Sequence, residues 1–136
     1  MSTTPAELMQ LSESLCQSSS CEATLRASIG RAYYAAYHAA IKFHNSLEMP
    51  GAEPPNRRGV HATLIYQLEN PRITDSDSRR ASKTHSYLLK TIRTARVEAD
   101  YDLECDISLP VVETQIENAK RLIALSAIQI VPAEPC

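Results

Sequence analysis

Three basic side chains on one predicted helix face are the first residues here that could do chemistry. Arg31 and His38 lie seven positions apart, so on a helix turning about 100° per residue they point within about 20° of each other. Lys42 continues the same face. Arginine and lysine hold phosphate oxygens through charge-assisted hydrogen bonds, and histidine can pass a proton near neutral pH. Tyr34, Tyr37 and Ile41 flank them as a second, partly apolar stripe. The face has two readings: a solvated surface beside half-buried tyrosines, or a patch lining a cleft that meets a nucleic acid or a nucleotide.

A second cluster runs from Arg93 through Arg96 and Asp100 to Tyr101. Arg96 and Asp100 are four apart and can pair at the border of the core, an order worth only about a few tenths of a kcal/mol. That pair needs no function of its own. Tyr101 points about 140° away from Arg96 on a regular helix. His85 falls on the Arg96 side and reads as a core-edge histidine. His38 and His44 are six apart and turn away from each other, so no metal-ligand set is predicted and no cofactor is implied.

These residues need helices to position them, and the proline pattern supplies the punctuation. All eight prolines fall at predicted helix starts, in loops or in the tail. Thr4-Pro5-Ala6-Glu7 opens a first helix with a capping box. Ser19 with Glu22 offers a second box, opening a long helix to about Glu48. Its apolar stripe is Leu25, Ile29, Tyr33, Ala36, Ala40, Phe43 and Leu47. Met49 to Arg58 is a proline-rich loop, and Gly59 to Glu69 a short helix ended by Asn70-Pro71. Thr74 to Ser78 can cap a fourth helix from about Ser78 to Leu103, with Ala81, His85, Leu88, Ile92, Ala95, Ala99 and Leu103 in register. A fifth runs from Leu109 to Gln129, with Val112, Ile116, Ala119, Ile123 and Ala127 repeating. Gly30, inside the long helix, reads either as the close approach of another helix or as a tolerated accident. No strand alternation is visible, so the expectation is an all-α up-and-down bundle of four to five helices in one domain, 1–136, with 131–136 a flexible tail.

Composition narrows the function classes. The chain has 136 residues, 43% hydrophobic, with no Trp and one Phe, so its core is built from Ala, Leu, Ile, Val and Tyr. A net charge of −2 lacks the basic excess of a general DNA coat and leaves room for a local basic patch. No apolar run approaches the ~18 residues that cross a bilayer, so no membrane is involved. Cys16, Cys21, Cys105 and Cys136 show no Cys-x-x-Cys spacing and no secretory signal precedes them. Reduced thiols in a cytoplasmic protein are the expectation.

The segment Arg31-Ala32-Tyr33-Tyr34-Ala35, with the later Arg96-Val97-Glu98-Ala99-Asp100-Tyr101, resembles a small prokaryotic branch of the HEPN family. Its signatures are Arg-Ala-Tyr-Tyr-Ala and Arg-x-x-Ala-Asp-Tyr, in that order, separated by a helix and a proline-rich loop. The resemblance implies a HEPN-like bundle that dimerises around a polar cleft. Many members are metal-independent ribonucleases used as toxins or in phage defence; others are inactive partners of minimal nucleotidyltransferases. It implies a homodimer that binds and cleaves RNA, with an antitoxin or nucleotidyltransferase as protein partner. His38, Arg96 and Tyr101 become the catalytic candidates; Arg31, Tyr34, Lys42, Arg93 and Asp100 become the RNA- or nucleotide-binding ones. Active members carry histidine four to six residues after the arginine, whereas this chain has Tyr101 five after Arg96 and no histidine beyond His85. Arg31 with His38 also frames six residues, on an earlier helix. The alternative is a non-catalytic interaction subunit in which Tyr101 is a modification target.

Overall fold

Thr4 accepts the Glu7 amide on its hydroxyl while the Glu7 carboxylate reaches back to the Thr4 amide, so the first helix starts where its capping box predicts. The computed structural model describes residues 2–18 and 21–130. It contains five helices, α1 (Pro5–Gln17), α2 (Glu22–Ser46), α3 (Val60–Glu69), α4 (Ser76–Tyr101) and α5 (Leu109–Ile130), with no strand among the described residues. Ser19 and the 131–136 tail lie outside those residues. Cys21 occupies the N-cap of α2, so Glu22 is its first residue.

Three further boundaries lie two residues from the sequence reading. Asp75 accepts the Ser78 amide at 2.9 Å, so α4 begins at Ser76, two residues early. α2 ends at Ser46, with Leu47 already extended as its C-cap. α4 stops at Tyr101, which leaves Leu103 outside the helix and 74% exposed rather than in the apolar stripe. The agent is Arg26. Its buried guanidinium donates to the carbonyls of Ala99 (2.9 Å), Asp102 (3.0 Å) and Glu98 (3.3 Å), and also to that of Cys105. The last carbonyls of a helix lack intrahelical partners; the Glu98 carbonyl already takes the Asp102 amide at 3.0 Å, and for Ala99 a cation from α2 supplies the partner, at the end where the helix dipole favours positive charge.

Neighbouring helices run in opposite senses. Ser12 and Ser28 each donate to the other's carbonyl at 2.7 Å, which locks α1 against α2. Arg26 meets the end of α4 and Phe43 its beginning, so α2 and α4 are antiparallel. His85 of α4 meets Ser126 of α5, and Lys120 of α5 pairs with Glu13 of α1 at 3.6 Å. The exceptions are α5, which packs along α2 in the same sense from the Glu22–Ile107 contact onward, and α3, which also runs parallel to α2. The segment 47–59 carries the chain back along the bundle, pinned where the Gly51 amide donates to His44 Nε2 at 3.0 Å. There Gly51 lies against the Gln67 backbone so closely that a Cβ would overlap it. Ser82 and Ser86 then fasten α4 to the Leu68 and Ile65 carbonyls of α3.

The core follows the predicted stripes on α2 and α4, with Ile29, Tyr33, Phe43 and Ile92 fully buried, and Leu89, outside the α4 stripe, is fully buried with them. On α5 the buried line turns to Leu122 and Ser126, and Ala127 faces out. His85 sits deeper than the core edge: it is fully buried and stacks on Phe43 at 3.9 Å. A carbonyl can only accept, so His85 Nδ1–H donates to Ala81 (2.8 Å) and Nε2 accepts from the Ser126 hydroxyl (2.7 Å). Burial pulls its pKa down to about 4, which keeps this structural histidine neutral. Gly30 does not mark a close helix contact, since a Cβ there meets nothing within 4 Å. Among the described residues no helix is long and apolar enough to cross a membrane.

Candidate functional site: a tyrosine cluster holding two arginines and a histidine

The Tyr-Tyr pair of α2 is the floor of the site. Tyr33 faces the core and Tyr34, one position on, reaches its border; their rings meet edge-on at 5.5 Å. Tyr37, one turn further, stacks on Tyr33 at 6.0 Å and is buried rather than half-buried. Burial pushes the Tyr33 hydroxyl up to about 12, so it remains a phenol across the physiological range.

Two arginines from different helices converge on this floor. The Arg31 guanidinium stands 5.3 Å from the Tyr34 ring centroid, and that of Arg96, from α4, 5.5 Å from the same ring. Arg96 also lies 5.8 Å from Tyr33 and 5.6 Å from Tyr101. Such cation–ring contacts contribute roughly 0.5–2 kcal/mol, more as water is excluded. Arg96 Nε is 2.8 Å from Asp100 Oδ2, the pair that the spacing predicts. Its N–H is not aimed at that oxygen, so the contact is ionic and Nε keeps an undirected donor. Nη2 donates weakly to the Tyr34 hydroxyl at 3.4 Å. Tyr101 joins Arg96 despite an angular offset of about 140°, because the long arginine side chain reaches past the last turn of α4 to the ring. Tyr101 is 72% exposed, whereas the Arg96 side chain beneath it is only 17% exposed.

The residue missing from the sequence reading is His61. The crossover segment delivers it from the first turn of α3 onto the tyrosines, where Nδ1 bonds the Tyr33 hydroxyl at 2.5 Å. Its ring lies 4.4 Å from Tyr37 and 6.4 Å from Tyr34. Burial, then the charges of Arg93 and Arg96, hold its pKa below the ordinary histidine value, so it is a neutral imidazole at pH 7. Arg93 is half-buried on the flank of the same cluster. The only sequence signal for His61 was its place just after a proline-rich loop, opposite no other recognised feature.

His38 and Lys42 fall outside this constellation. Both are exposed on the outer face of α2, and His38 reaches the cluster through an edge-on contact with Tyr37 at 5.4 Å. The imidazole placed among the arginines is therefore His61, not His38. Among the described residues no group of three His, Cys, Asp or Glu side chains is arranged to hold a metal ion. Cys16 and Cys105 are free thiols.

The groups gathered here are of the kinds that bind phosphate, the arginines, and that accept a proton, the neutral imidazole of His61. Comparison with protein-family models, curated proteins and solved structures finds no match to this chain.

Proposed function

We propose that this chain is a HEPN-like RNA-binding protein that works as a homodimer in a toxin–antitoxin or phage-defence system and cleaves RNA without metal. The observation that carries this reading is the meeting of Arg31, Arg96 and His61 on one tyrosine floor, from three separate helices. In that geometry the arginines take the scissile phosphate and offset the charge that grows on its oxygens. His61, neutral at pH 7, accepts the proton of the RNA 2′-hydroxyl. The 2′-oxygen then attacks phosphorus, the bond to the 5′-oxygen breaks, and that oxygen takes up a proton. Asp100 holds Arg96, and Tyr33 holds the His61 ring. A cytoplasmic location suits this chemistry.

The test is cleavage of a labelled single-stranded RNA in the presence of a chelator. Activity is expected in the wild type, loss of it in His61→Ala and Arg96→Ala, and its retention in His38→Ala. Inactivity of all four proteins removes the nuclease reading. Loss of activity in His38→Ala alone returns the proton transfer to that residue.

One observation favours a second reading, in which the chain is the non-catalytic partner of a minimal nucleotidyltransferase. The Tyr101 ring is largely exposed and stands beside the Arg96 cation, a suitable place for transfer of a nucleotide to a phenol. Co-expression with such an enzyme and intact-mass measurement tests it. A mass increase that Tyr101→Phe abolishes supports this partner role, and an unmodified chain rejects it.

A further inference from the structure

Charge in this chain is sorted by position. Nine of its fourteen Lys and Arg residues, but three of its sixteen Asp and Glu, fall between residues 57 and 96. A net charge of −2 therefore hides a strongly basic middle. Within it, α4 turns Arg80, Lys83 and Lys90 to solvent at spacings of three and seven, which share one helix face. The ion pairs found among the described residues engage Arg26, Arg96 and Lys120, none of these three. Tyr87 stands between Lys83 and Lys90 with 70% of its surface exposed, in a chain that otherwise buries or half-buries every tyrosine except Tyr101.

Three shallow grooves, of about 470, 450 and 270 Å³, follow this face end to end. The first two share Lys83 and Tyr87, and the second and third share Glu69 and Lys90. The third ends at Arg58 and Arg93, and Arg93 is the cation whose charge bears on His61. Glu69 is the carboxylate in their lining, set between the two lysine positions.

We propose that this face of α4 is a binding track for a single-stranded nucleic acid, with phosphates on Arg80, Lys83, Lys90 and Arg93 and a base stacked on Tyr87. Four cations spread over about 20 Å of helix, winding about 140° around it from Arg80 to the half-buried Arg93, fit one phosphate backbone that follows the grooves. A flat exposed ring interleaved with them offers a platform that an unpaired base can use and a duplex cannot. An acidic peptide would satisfy the charges but has no call on the ring. The track runs toward the His61 site, so it deepens the RNA reading above; binding along it does not depend on cleavage.

The probe is a short fluorescent single-stranded DNA, which carries no 2′-hydroxyl, alongside its RNA counterpart, titrated by anisotropy. Four phosphate contacts predict a slope of log K against log salt of about −3, a loss of roughly fifty-fold between about 50 and 200 mM salt. Lys83→Gln with Lys90→Gln is expected to flatten that slope by about 1.4, and Tyr87→Ala to weaken binding about tenfold. Arg121→Gln, exposed on α5 and outside these grooves, is expected to bind as the wild type does. Affinity unchanged in both track variants, or a duplex or polyglutamate bound as tightly as the single strand, overturns the track. If binding follows the track while RNA stays intact, the track stands and the nuclease reading fails. If RNA is cleaved but the track variants bind normally, the reverse holds.

Discussion

Replacing Arg26 by methionine removes one guanidinium and leaves most of its aliphatic stem in place, so the expected loss of stability comes from the carbonyls at the end of α4. Three of its contacts, to Ala99, Asp102 and Glu98, lie between 2.9 and 3.3 Å. A hydrogen bond from a charged donor is worth about 1.5–3 kcal/mol when its partner stays dry. Glu98 and Asp102 are at the surface, so water recovers part of each bond and about 1 kcal/mol per carbonyl is the better figure. The ion pair with Glu22, at 3.7 Å and with that carboxylate 44% exposed, adds little. All three carbonyl contacts come from Nη1, which has two N–H groups, and the Glu98 carbonyl keeps the Asp102 amide, so two bonds count and the sum is about 2 kcal/mol, or a fall of roughly 7 °C in Tm for a domain of this size. Urea denaturation of R26M against wild type reads the energy, and amide exchange over residues 98–107 locates it. A loss below about 1 kcal/mol, or exchange that rises equally everywhere, refutes the idea that this cation terminates α4.

Other outcomes follow from single positions. Gly30→Ala is expected to raise stability by about 0.5–1 kcal/mol, because the helix gains a better former and its Cβ meets no atom; a lower urea midpoint contradicts this. Gly51→Ala is expected to cost roughly 1–3 kcal/mol through overlap with the Gln67 backbone, and a neutral result contradicts the tight crossover. His85 has a folded pKa of about 4 against about 6.5 when unfolded, so the unfolded chain binds the extra proton. Stability is then full above about pH 6.5 and declines toward pH 4, by an amount on the order of 3 kcal/mol. His44 and His61 are displaced in the same direction and steepen that decline. Urea midpoints flat between pH 7 and 4.5 contradict a neutral buried imidazole.

What the sequence disclosed was governed by distance along the chain. The helical stripes and the Arg96–Asp100 pair repeat every three or four residues, and a local rule suffices for them. Convergence of Arg31 with Arg96 was expected from two separated signatures, and both guanidiniums do stand on Tyr34. His61 escaped because its position depends on how a proline-rich segment returns along the bundle, which no periodicity encodes. Arg26 carries no local signal, because its burial makes sense only beside the terminal carbonyls of a helix 70 residues away. The angle of about 140° between Arg96 and Tyr101 compares only Cα–Cβ vectors, and it misses their contact because it ignores how far an arginine reaches.

The attachment of α3 bears on how the site could be switched. This helix packs chiefly on α4 and meets α2 by way of His61. It is also the shortest of the five, 10 residues, and neither its Gly59 N-cap nor its Asn70 C-cap is reinforced by charge. Short elements held on one side open at lower free energy than the whole molecule. Detachment of α3 alone would carry the imidazole out of reach while the other four helices stay folded, so an on–off equilibrium for proton transfer is available without global denaturation.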